Sequence, residues 1–98
     1  MQSLDQYPPL KYWEIATRQC PSSAETYLDL WLEKDEQNIV LIEDKEIVFT
    51  FGMPKVRFYR DVLRLKKQAL VSVKRIRKDD ERFVRIELTG WDDEFGND

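Results

Sequence analysis

The chain has 98 residues, a formal net charge of −3, one cysteine and no histidine. A 42% hydrophobic fraction with twelve aromatics supports one core in a single domain and excludes general disorder. Without histidine there is no Ser-His or Cys-His nucleophile and no His-ligated metal, and a lone Cys20 forms no internal disulfide, which fits a reducing, cytoplasmic setting.

In chain order, residues 1–9 read as an N-terminal arm whose Pro8-Pro9 suits a helix entry. Asp5 and the prolines occupy the place where a secretory leader needs a basic and then apolar run, and no apolar stretch approaches a membrane span. Leu10, Trp13, Ala16 and Cys20 recur at helical spacing, which predicts a helix over 10–19 stopped by Pro21. Ser22 and Glu25 have the spacing of a capping box. The next helix is expected to present Ala24, Tyr27, Leu28 and Trp31 to the core, with Leu32 at the edge, and to end near Gln37-Asn38.

The period then changes. Ile39 to Ile42 and Ile47 to Phe51 are β-formers around the charged Glu43-Asp44-Lys45-Glu46, which predicts a β-hairpin. Gly52-Met53-Pro54 breaks it and opens a second long helix. There Phe58, Val62, Leu65 and Ala69 share a face flanked by Tyr59 and Leu63, and Arg57, Arg60, Arg64 and Lys67 form a stripe roughly opposite. From Leu70 the period is two, with Val71 and Val73 before the tip Lys78-Asp79-Asp80-Glu81. Val84, Ile86 and Leu88 then point inward against Arg85 and Glu87. Gly90 closes the domain, read as 10–90, and 91–98 is an acidic C-terminal tail.

Charge is segregated along the chain. Lys55, Arg57, Arg60, Arg64, Lys66, Lys67, Lys74, Arg75, Arg77 and Lys78 face a single acid, Asp61, over residues 55–78. A block of one sign builds a local potential that attracts the opposite sign, here a phosphate backbone. The remainder of the chain is acidic, with nine acids against four bases in residues 1–45.

Phe58-Tyr59-Arg60-Asp61-Val62-Leu63-Arg64-Leu65, then Leu70-Val71-Ser72-Val73-Lys74-Arg75, then Val84-Arg85-Ile86-Glu87-Leu88-Thr89 resemble a winged helix-turn-helix domain. The resemblance covers about residues 22–90 and implies an α+β fold with helices packed on short antiparallel β-hairpins. Two departures stand out. Gln68-Ala69 occupies the turn where the family usually has Gly. The segment before Pro54 reads as strand where a first helix is expected, so either a helical turn lies in Thr50–Met53 or the hairpin replaces it.

The resemblance implies a small double-stranded-DNA-binding protein, a transcriptional regulator or a replication or mobile-element accessory factor as in bacteria and phages. Lys55, Arg57, Arg60, Arg64 and Lys67 on the helix and Lys74, Arg75, Arg77, Lys78 and Arg82 on the wing are the expected DNA-binding residues. Two copies paired through the first helix would suit recognition of two half-sites. The alternative is an adaptor of the same fold that binds protein. No cofactor, metal or small-molecule substrate is expected: Cys20 reads as a core residue, and Asp92, Asp93 and Glu94 lack the Gly-turned loop of a cation cage.

Overall fold

The computed structural model describes residues 8–88, so the expected tail and most of the arm lie outside the described residues. Two helices come first, α1 (Leu10–Gln19) and α2 (Ala24–Glu33), joined by a 3-10 turn at Pro21–Ser23. Strand β1 (Ile39–Glu43) leads through a second 3-10 turn into the short helix α3 (Ile47–Phe51) and then α4 (Lys55–Lys67). A hairpin of β2 (Val71–Lys78) and β3 (Glu81–Leu88) completes an α+β fold. The three strands form one antiparallel sheet in the order β1-β3-β2.

The expected hairpin over 39–51 is not formed. Only its first half is a strand, and it pairs with β3, placing Val40 opposite Ile86 and Ile42 opposite Val84. The second half is helical because Ile47 and Phe51, four residues apart, are the two positions that the core takes, while Val48, Phe49 and Thr50 face solvent. Gly52 stops the helix in the left-handed region at φ 66°, and its N–H donates to the Val48 carbonyl at 2.9 Å. Acids Glu43, Asp44 and Glu46 precede or open this helical stretch, where the macrodipole favours them. The helical turn considered for Thr50–Met53 therefore exists, but starts three residues earlier.

Burial corrects three helix faces. In α1 the buried residues are Tyr12 and Ala16, followed by Cys20, and Leu10 is 69% exposed. In α2 they are Ala24, Thr26, Tyr27, Leu30 and Trp31, while Leu32 faces solvent and Leu28 is half-buried. α2 ends at Glu33 rather than near Asn38 because Asp35 builds a turn of its own. Its Oδ1 accepts from the backbone N–H groups of Gln37 and Ile39 at 2.8 and 3.0 Å, and Asn38 adopts φ 64°. In α4 the buried face is Phe58, Asp61, Val62 and Leu65. Leu63 is 51% exposed, and Ala69 lies on the surface beyond the helix end.

Sheet and helices share one core. Val40, Val71, Val84, Ile86 and Leu88 pack with Tyr27, Leu30, Trp31, Phe58, Val62 and Leu65. Phe51 meets Phe58 with ring centroids 4.8 Å apart, which docks α3 on α4. Burial also pushes the Tyr27 phenol up to about 12, with Trp31 beside it in an edge-on contact at 6.4 Å.

Besides the turn at Asn38, two further turns use left-handed residues that are not glycine. Asp79 and Asp80, at φ 52° and 70°, form a two-residue hairpin loop between the paired Lys78 and Glu81. Ala69 at φ 60° fills the turn position after α4 where Gly was expected, and the Leu70 N–H closes it onto the Leu65 carbonyl at 3.1 Å. The backbone geometry that the turn requires is thus kept, with a strained residue in it.

Two predictions follow from packing and backbone. Leu65→Ala should destabilise by about 2–5 kcal/mol and Leu63→Ala by well under half of that, read from denaturant midpoints. Ala69→Gly should raise stability by about 0.5–1 kcal/mol, since relief of the left-handed strain outweighs the added flexibility of the unfolded chain; a lowered thermal midpoint would contradict this.

Candidate nucleic-acid interface

Helix geometry divides α4 into four strips. The buried strip fixes the helix, and opposite it lie Val56, Arg60, Leu63 and Lys67. Val56 is 80% exposed, so this face is a mixture of apolar groups and cations rather than a purely basic stripe. Arg57 and Arg64 sit to one side, Arg57 beside Asp61 of its own helix and Arg64 on Ser22 of the turn before α2, and Lys55 and Tyr59 sit to the other, on Asp44 of the β1–α3 connection.

Asp61 governs the first flank. It is fully buried and accepts from the Thr26 hydroxyl at 2.7 Å and the Ser23 hydroxyl at 3.1 Å. These two residues are the N-cap and third position of α2, so a carboxylate from α4 sits at the positive end of that helix. The capping box expected from Ser22 and Glu25 is replaced by this long-range arrangement. α2 has no side-chain cap of its own, and the Ser22 hydroxyl accepts from Arg64 Nη1 at 2.7 Å. Arg57 and Arg60 approach Asp61 through Nε at 3.7 and 3.8 Å and remain 44% and 54% exposed. Such long contacts bias the two guanidiniums without removing them from solvent.

Asp44 governs the other flank. Its Oδ2 accepts from Lys55 Nζ at 2.8 Å and its Oδ1 from the Tyr59 hydroxyl at 2.6 Å, and these two donors hold its carboxyl below the ordinary value. Burial and the Asp44 bond push the Tyr59 phenol up to about 12. Arg75 lies over the Tyr59 ring, 4.5 Å from its centroid, so the hairpin is fastened to α4 by a cation–π contact.

Sheet register sorts the hairpin cations onto two faces. Directly opposed residues share a face, so Arg75, Arg77 and Arg82 lie on the side of buried Val84 and Ile86, towards the helices. Lys74 and Lys78 lie on the other side, with Arg85 opposite Lys74. Arg85 in turn contacts Glu87 at 3.3 Å. Of the expected DNA-binding residues, α4 and the inner hairpin face bring together Lys55, Arg75, Arg77 and Arg82. Arg60 and Lys67 stand on the outward strip, Arg57 and Arg64 on the α2 flank, and Lys74 and Lys78 behind the sheet. Asp79, Asp80 and Glu81 make the hairpin tip itself acidic.

Sequence reasoning missed Asp44, Tyr59 and Asp61 as organisers of these cations. Asp61, the sole acid in a long basic stretch, was the available signal, and an apolar-face wheel with a gap at its position would have exposed it. Cys20 is buried as expected, and burial pushes its thiol up, partly offset by the Arg64 charge. Among the described residues no helix is long and apolar enough to cross a membrane.

Comparison with known proteins gives no match to a family model, a curated protein or a solved structure.

Asp61→Ala should cost about 3–5 kcal/mol, because it strands two buried hydroxyls and removes the charge that faces the α2 terminus. Asp61→Asn, which keeps an acceptor and the volume, should cost distinctly less. Equal losses in chemical denaturation would mean that charge and not hydrogen bonding dominates.

Proposed function

We propose that the chain is a winged-helix protein that binds double-stranded DNA, with α4 as recognition helix and the β2–β3 hairpin as wing. The observation that carries the reading is the succession α2, β1, α3, α4, β2, β3 with β3 paired between β1 and β2. A first helix, a strand, two helices joined by a tight turn and a hairpin returning to the first strand is the winged arrangement. In it α3 takes the place of the missing first helix of the helix-turn-helix, and Ala69 that of the turn glycine.

Composition of the outward strip supports the same reading. Arg60 and Lys67 can meet base edges or phosphates, and exposed Val56 and Leu63 offer apolar groups of the kind that contact thymine methyls. Regulation of transcription or assistance in replication is the setting in which a small domain of this kind acts. One observation favours the adaptor alternative: Phe49 on α3 is 88% exposed, and aromatic side chains anchor protein interfaces.

The deciding measurement is fluorescence anisotropy on random-sequence duplex across a salt series. Affinity should fall steeply with salt, and Lys67→Ala should reduce the log–log slope by about one. On a preferred site Arg60→Ala should cost about 1–3 kcal/mol with the thermal midpoint little changed. No salt-dependent binding at low ionic strength, together with loss of a protein partner on Phe49→Ser, would replace this reading with the adaptor.

A further inference from the structure

Between the wing and the start of α4 lies an open cleft of about 280 Å³, bordered by Asp44, Tyr59, Arg75, Arg77, Arg82 and Phe83. Arg77 and Arg82 are directly opposed across the hairpin, and like charges so placed repel. Among the described residues neither has an acid within salt-bridge distance. Asp44, the acid at the cleft, has both oxygens occupied by Lys55 and Tyr59. Arg75 lies with its guanidinium carbon 4.5 Å from the Tyr59 ring centroid and is exposed, so its planar fork can reach a bidentate acceptor.

Three guanidiniums border one cleft, two of them directly opposed like charges, and Asp44 acts on Arg82 only from beyond ion-pair distance. We propose that Arg75, Arg77 and Arg82 bind a phosphate oxyanion in the cleft between wing and α4. Planar forks match tetrahedral phosphate oxygens in pairs, and a bound anion between Arg77 and Arg82 turns their repulsion into two charge-assisted hydrogen bonds. Asp44 acts as a positioning residue: it holds the Tyr59 hydroxyl, and the ring holds Arg75. The proposal deepens the DNA reading and rests on it only for the source of the phosphate, a backbone diester of the bound duplex.

The test uses the full chain, with inorganic phosphate as probe against chloride at matched ionic strength. Phosphate should raise the thermal midpoint of the wild type by several degrees beyond chloride, and Arg77→Gln or Arg82→Gln should abolish that increment. In chloride each variant should be at least as stable as the wild type, since the cross-strand repulsion is gone; this also shows that the variants fold. Indistinguishable midpoints in the two salts would overturn the cleft. In the duplex arm, Arg77→Gln should lower the salt slope by about one. An unchanged slope alongside a phosphate increment would overturn the backbone as source and leave free phosphate in its place. A phosphate increment in a protein that binds no duplex at any salt would support the cleft while removing the DNA reading.

Discussion

Asp61 is a carboxylate with no exposure to solvent, in the middle of the most basic helix of the chain, and it faces the start of another helix. An isolated buried charge would be severely unfavourable, so its position must be satisfied by several partners at once. Two hydroxyls from α2, two arginines from its own helix and the positive end of the α2 macrodipole supply them. The consequence is directional. The fully buried Phe58, Val62 and Leu65 set which face of α4 points inward, and two hydrogen bonds from the start of α2 to Asp61 sharpen that setting to one rotation. That rotation decides which side chains of α4 are left outside, and they are Val56, Arg60, Leu63 and Lys67.

Asp44 acts on the opposite flank in the same manner, though nearer to solvent. It ties the connection after β1 to the first turns of α4 through Lys55 and Tyr59, and Tyr59 carries the tie onward to Arg75 on the hairpin. Helix and hairpin are thereby set relative to each other by a carboxylate, a phenol and a guanidinium in sequence. Both acids spend their charge on orientation, which explains how a region so rich in cations keeps most of them unneutralised.

Much of the fold was legible in periodicity. The bounds of α1, the start of α4 after Pro54, and the alternation of Val84, Ile86 and Leu88 follow from spacing and punctuation that local physics enforces. The segment from Ile47 to Phe51 was not, because five β-prone residues carry no internal evidence of the tertiary contact that selects position one and position five. Gly52, directly after them, was a helix stop, but it serves equally as a strand break. The capping box failed for a related reason: Ser22 and Glu25 had the right spacing, yet Asp61, far along the chain, took over the N-terminus of α2. Among the expected site residues, the sequence located the cations but not their faces. Strand alternation could have separated Lys74 and Lys78 from Arg75 and Arg77, whereas the split between Arg57 and Arg60 depends on where Asp61 is buried.

Charge along the hairpin follows from the geometry of its turn. A two-residue loop with both residues left-handed selects Asn, Asp or Gly, and this chain uses two aspartates followed by Glu81. Three acids at the tip partly offset the cations of the strands, and the opposed Arg77 and Arg82 stand one residue from the loop-closing pair Lys78 and Glu81. Arg77 and Arg82 share a face with Arg75, which lies further from the tip over Tyr59, and the acid on that side, Asp44, is engaged by Lys55 and Tyr59. The field of the hairpin and that of α4 therefore meet in the space between them. A concave region lined by one sign of charge focuses the field, and here that region is the inner face of the hairpin beside Tyr59, where Arg75, Arg77 and Arg82 act together.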